Sequence, residues 1–291
     1  MASLTIRADK ESNFKYDPNK NAALAAAALF GISSVWHLRV MIRRKTWFYT
    51  ALIVGAFMMT IGYLARYLAA KSPFSSGPYI LQSLFLILPP SLYAATIYMI
   101  YGRIVLLVNA PEASLIRPTW VTKIFVTGDV VSFLMQAGGG GLTASSTPKT
   151  AKLGQNILMI GLVLQLIFFG VFLCISLVFF KRMRATPSYH LMPKYGKWPW
   201  QAMLKLLLAT AALIIFRCVF RIIEFAQGSD GYLMKKEVFI YLFDAAPMLV
   251  TQVAFHFVHA ADVFPKNGVP GKGGEGDERD GFIELGQRQS V

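Results

Sequence analysis

Seven separate stretches of this chain are apolar and long enough to cross a bilayer, which takes about 20 residues of α-helix. They fall at residues 21–40, 47–68, 79–101, 120–138, 157–180, 203–223 and 238–261. In hydrocarbon every backbone N–H and C=O must be satisfied internally, so stretches of this length fold as helices. The expected fold class is an all-α membrane protein, a seven-transmembrane-helix bundle. It would comprise a polar extracellular segment over 1–20, a transmembrane domain over 21–262 and a disordered cytosolic tail over 263–291. Seven spans take roughly half of the chain, which leaves no room for a folded soluble domain between them. Signal-peptide features are absent from the polar, mixed-charge start.

Charge gives the expected orientation. The chain carries 29 Lys and Arg against 15 Asp and Glu, a net charge of +14. Fifteen of the basic residues lie in loops one, three and five and the tail, among them Arg39, Arg43, Arg44, Lys45, Lys181, Arg182, Arg184, Lys194 and Lys197. Nine lie on the opposite side, including Arg66, Lys71, Lys235 and Lys236. The positive-inside rule puts the N-terminus outside and the C-terminus in the cytosol. The basic excess therefore reads as topology, and nucleic-acid binding is not needed to explain it. Trp47, Trp120, Trp198 and Trp200 sit at span ends, where aromatic rings favour the headgroup layer.

Ionisable side chains are costly in hydrocarbon and usually face the bundle interior. In span four, Asp129, Ser132 and Gln136 follow at i, i+3 and i+7, on one helix face. They form either a polar cavity wall or one interhelical hydrogen-bond cluster. Gly138, Gly139, Gly140 and Gly141 then suggest frayed backbone or close approach by another helix. In span six, Arg217, Arg221 and Glu224 share a face, a pattern that favours a buried ion-paired network over snorkelling arginines. In span seven, Glu237 and Asp244 are seven residues apart and are expected on one face. Pro247 is expected to kink the helix there.

Pro89 and Pro90 break the backbone ladder of span three, ahead of Tyr98, and Gln165 at mid-depth of span five needs a partner helix or water. His256, His259 and Asp262 are weak candidates for a metal site, with interfacial packing favoured. Gly271-Lys272-Gly273 fails the phosphate-loop pattern, so no cofactor and no direct use of ATP are expected. The last span has no lysine for a retinal Schiff base, and no zinc-protease or Gly-x-Ser-x-Gly motif occurs.

Several motifs together resemble a known family. They are Gly62-Tyr63 with Arg66, Pro90 with Tyr98 and Gly102-Arg103, and Gly128-Asp129 with Gln136 and Gly139-Gly140. The last set is Arg217, Arg221, Glu224, Gly228, Glu237 and Asp244. The combination is similar to the fungal lipid-translocating exporters, the RTA-like or aminocholesterol-resistance family, over about residues 16–262. The resemblance implies seven spans with an outside N-terminus, and roles in resistance to toxic amphiphiles, export or flipping of sphingoid long-chain bases, and porphyrin uptake. Where the family pattern often carries an acid shortly before Gly-Tyr, this chain has Met58, Met59 and Thr60. That difference points to another substrate or coupling.

Three functions stay open. The first is an ATP-independent, non-enzymatic translocator of membrane lipids or amphiphilic small molecules, with the plasma membrane as expected location and an internal membrane as the alternative. A cavity between spans four, six and seven would offer Asp129, Glu224 and Asp244 to a cationic headgroup, with Arg217 and Arg221 either holding the carboxylates ionised or binding an anionic group. The second is a seven-span lipid or stress sensor, with loop five and the tail docking a cytosolic partner. The third is a metal-dependent lipid enzyme built on His256 and His259.

Overall fold

The computed structural model describes residues 14, 16–143, 145, 147–186, 196–228 and 231–264. The expected tail beyond Phe264, most of the N-terminal segment, His190 and Lys194 lie outside the described residues.

Asn19 starts the first helix. Its side-chain oxygen accepts from the N–H groups of Asn21 and Ala22 at 3.0 and 3.2 Å, satisfying donors that a helix start leaves free. Helix α1 (Lys20–Arg44) ends at Lys45, whose φ of 53° is left-handed, with Arg43 and Arg44 near the negative end of the helix dipole. A short 3₁₀ turn (Trp47–Tyr49) leads into α2 (Thr50–Lys71). The third expected span is two helices, α3 (Ser76–Ile87) and α4 (Pro89–Leu107), broken at Leu88. Proline tolerates the first turn of a helix because its missing N–H has no partner there. Pro89 and Pro90 thus begin α4 at the cost of two carbonyl partners in α3.

Two long helices follow, α5 (Pro118–Thr143) and α6 (Pro148–Arg184). At 1.5 Å per residue α6 is about 55 Å long, well beyond a 30 Å hydrocarbon core. Helix α7 is Trp200–Ala226. The final helix, α8, has three parts: a turn at Glu237–Phe239, a π-helical segment at Ile240–Ala245 and an α-helical stretch at Ala246–Phe257. Pro247 follows directly on the π segment, so the expected disturbance takes the form of a widened turn.

Among the described residues the chain is all-helical, and six helices are long and apolar enough to cross a membrane, with α3 and α4 counted as one. That composite is the most interior of the six, 67% buried against 39–50% for the others. Its side chains anchor the core. Tyr98 and Tyr101 meet Phe172 edge-on at 4.6 and 5.4 Å between ring centroids, and Phe125, Phe169 and Phe179 complete the cluster.

Helices α5 and α6 pack with their backbones in close contact. A Cβ on Gly139 would lie 2.5 Å from the Leu158 nitrogen and 2.7 Å from the Gly154 carbonyl oxygen. Small residues permit such approach. Helix α5 continues through the glycine run to Thr143, so of the two expectations, fraying and close approach, the second holds at Gly139 and Gly140. Gly140 faces Leu84, while Gly138 and Gly141 face open space. Trp200 starts α7 and is buried, while Trp47 and Trp120 are exposed. One expectation about placement changes. Arg66, counted as an outer-loop charge, lies within α2 at 1% exposure.

Candidate functional site

Three polar groupings occupy the bundle interior. In the first, Asp244 gathers both arginines of α7. Arg221 grips it bidentately, Nε to Oδ1 at 2.8 Å and Nη2 to Oδ2 at 2.6 Å. Arg217 Nε lies 2.6 Å from Oδ1. Arg221 also donates to Glu224 at 2.8 Å. Arg217 reaches further, donating from its other nitrogen to the Leu86 carbonyl of α3. That acceptor is the one Pro90 leaves free. Two guanidiniums and two carboxylates, all nearly excluded from solvent, cancel formally.

The second grouping is Arg66 with Glu237. Arg66 contacts Glu237 at 2.9 Å and donates to the Tyr16 and Tyr241 hydroxyls at 2.6 and 3.2 Å. The rings of Phe14, Tyr16 and Tyr241 lie within 6 Å of its guanidinium carbon. Asn19 N–H donates to the second Glu237 oxygen at 2.7 Å. Glu237 and Asp244 therefore join different ion pairs, with the π-helical segment Ile240–Ala245 between them. Tyr63, stacked on Tyr241, lies between the two networks.

The third grouping is on α4, α5 and α6. Gln136 donates to Gln165 at 2.7 Å, and the Ser132 hydroxyl donates to the Gly128 carbonyl at 2.9 Å. Asp129 is 2% exposed. The Tyr98 hydroxyl lies against its carboxylate and the Cys218 thiol is close by. Neither Asp129 oxygen makes a hydrogen bond of ordinary geometry among the described residues, and no basic side chain pairs with it. On the outer side of α5, Gly128 forms part of a groove of about 520 Å³. Trp120, Lys123 and Val131 line it from α5, and Leu164 and Phe168 from α6. The Phe168 ring packs on Gly128, where a Cβ would stand 2.7 Å away.

The histidines go elsewhere. His256 stacks on His37 at 4.0 Å and shares a 2.7 Å hydrogen bond with Ser33. His259 stacks on Tyr49 at 4.5 Å, and Asp262 pairs with Arg44. Among the described residues no three His, Cys, Asp or Glu side chains converge as metal ligands.

A family model described as RTA1 like protein matches residues 52–267, which include all three polar groupings apart from Tyr16, Phe14 and Asn19. The chain belongs to the RTA1-like family. It is an integral, multi-pass membrane protein. Protein RTM1 of Saccharomyces cerevisiae is 33% identical over 282 residues, covering 83% of this chain and 89% of that one. Protoporphyrin uptake protein 1 of the same yeast is 38% identical over 201 residues, 69% of this chain and 65% of the relative. Sphingoid long-chain base transporter RSB1, also from that yeast, is 24% identical over 294 residues, covering 89% and 77%. No solved structure matches.

Within this RTA1-like chain the sequence reading missed Arg66 as an interior residue, together with its tyrosine partners. The available signal was position. Arg66 lies one helical turn after Gly62-Tyr63, inside an otherwise apolar helix. The structure also separates candidates that were grouped. Glu224 and Asp244 are engaged by Arg217 and Arg221, whereas Asp129 is not.

Proposed function

We propose that this chain is a seven-span translocator of amphipathic, lipid-like molecules, with its N-terminus outside and Asp129 as the acceptor of a cationic headgroup. One observation carries this reading: Asp129 is a buried acid with no basic partner, next to the residue that lines an apolar groove between α5 and α6. An isolated carboxylate deep in a low-dielectric interior attracts a cation far more strongly than one at a wet surface. An ammonium group fits by charge, and the acyl chain would rest in the groove, where Phe168 covers Gly128. The step would be facilitated or ion-coupled.

Three considerations support it. Helix α5 is 26 residues long and packs between α4 and α6, as a seventh span would. The Lys and Arg bias of the loops favours an outside N-terminus. Relatives are named for transport of sphingoid long-chain bases, uptake of protoporphyrin and, in a Leptosphaeria maculans protein, lipid-translocating export. The ion-paired groupings then serve to hold the bundle around the site.

The test is transbilayer movement of a fluorescent long-chain base in vesicles containing the purified protein. Faster movement than in protein-free vesicles is expected, and equal rates would refute the reading. Saturable binding without movement would favour a sensor.

A further inference from the structure

Asp129 poses an electrostatic question that its neighbours do not answer. Among the described residues, every other carboxylate in the bundle interior has a guanidinium against it: Glu237 has Arg66, Glu224 has Arg221, and Asp244 has Arg217 and Arg221. The titratable groups that face Asp129 are the Tyr98 hydroxyl from α4 and the Cys218 thiol from α7. Both are neutral acids, and ionising either would add negative charge. Arg217, next to Cys218 in sequence, is committed to Asp244 and to the Leu86 carbonyl. Helix α6 presents Gln165 and aromatic rings on this side, α3 presents Leu84 to Gly140, and Lys123 of α5 itself is exposed. None of these supplies a cation.

We infer that Asp129 exchanges a proton for the cationic headgroup, one for one, which makes this chain a proton–amphiphile exchanger. The inference rests on the translocation reading above and adds its coupling. A buried site with no fixed counter-charge has two low-energy states. In one, an Asp129 oxygen carries a proton and the site is neutral. In the other, the O–H bond has broken, the proton has gone to water, and a cation stands against the carboxylate. No covalent bond joins substrate to protein, and net site charge is zero in both states. The charged, empty carboxylate between them is the costly state. A cation that enters must therefore release a proton, and one that leaves must be replaced by one. This is reciprocal linkage between two ligands of a single group.

The probe for the test is a fluorescent long-chain trimethylammonium ion, whose permanent charge prevents both neutral leakage and proton release by the probe itself. The full chain is reconstituted in phosphatidylcholine vesicles with a pH dye inside and the membrane potential clamped by potassium and valinomycin. One proton should leave the lumen for each probe that enters, and a lumen one pH unit more acid than outside should drive about tenfold accumulation of probe. Movement of the probe without proton flow would overturn the exchange while leaving translocation standing. No movement beyond that in empty vesicles would overturn the translocation reading and the exchange with it. Asp129→Asn should lose proton flow at an unchanged unfolding temperature. If that variant still exchanges protons for probe, Asp129 is not the site.

Discussion

Arg217 donates to the backbone carbonyl of Leu86, the acceptor that Pro90 deprives of its helical partner. The same side chain contacts Asp244 of α8 at 2.6 Å. One guanidinium thus ties α3, α7 and α8 together at the break between α3 and α4. In hydrocarbon a freed carbonyl needs a new donor, and here the double proline and the arginine answer each other.

Arg217→Ala would leave Leu86 without a donor and Asp244 with one guanidinium instead of two. Loss of one partner from a buried ion pair costs about 3–5 kcal/mol. Arg217→Ala is expected to unfold well below wild type in a detergent melt. Arg217→Lys is expected to be nearly as damaging, because the two acceptors are reached by different guanidinium nitrogens, Nη2 and Nε, and an ammonium carries its donors on one atom.

Asp244→Asn and Asp129→Asn should behave oppositely. The first leaves Arg217 and Arg221 facing a neutral amide and should destabilise the bundle by several kcal/mol, on the order of a broken buried pair. The second replaces an acid that has no basic partner among the described residues, so its stability should stay far closer to wild type than that of Asp244→Asn. Thermal unfolding of the two purified variants, side by side, decides this.

The glycine run gives a matched pair. Gly139→Ala would push a methyl group into the backbone of Leu158 and Gly154, which cannot move aside as a side chain can. Loss of stability and of membrane abundance is expected. Gly138→Ala and Gly141→Ala meet open space within helix α5 and should be neutral, or stabilising by up to about 1 kcal/mol. Abundance and melting temperature read both effects.

Tyr16→Phe removes the 2.6 Å hydrogen bond to Arg66 and keeps the ring over its guanidinium. A hydrogen bond to a charged group is worth about 1.5–3 kcal/mol. Hydrogen exchange should quicken at the start of α1 and at residues 237–241, with the Arg217 region unchanged. Protection lost throughout the bundle would contradict this local role.

Much of the architecture was legible because helical periodicity is a strong signal. The stripe of Arg217, Arg221 and Glu224 shares one face as its spacing requires, and each apolar block falls within an observed helix or helix pair, although α6 begins nine residues before its block. Less legible were features set by contacts distant in sequence. Arg66 near a helix end looks like a loop charge until Tyr16 and Glu237, 50 and 171 residues away, close around it. Glu237 and Asp244 have the spacing of one face but join different ion pairs, and nothing in Ile240–Ala245 announces the π segment between them except the proline after it. The tetraglycine admitted two opposite readings, and the position of α6 decided between them. That Asp129 lacks a counter-charge among the described residues became visible only when the partners of the other buried interior acids were in place.

The account turns on Asp129, and the most direct measurement is the initial rate at which a permanently charged long-chain ammonium probe crosses vesicles holding equal amounts of folded wild-type or Asp129→Asn protein. The account predicts that the variant falls to the rate of protein-free vesicles and that Asp129→Glu retains part of the wild-type rate. A variant that moves the probe as fast as wild type would contradict it.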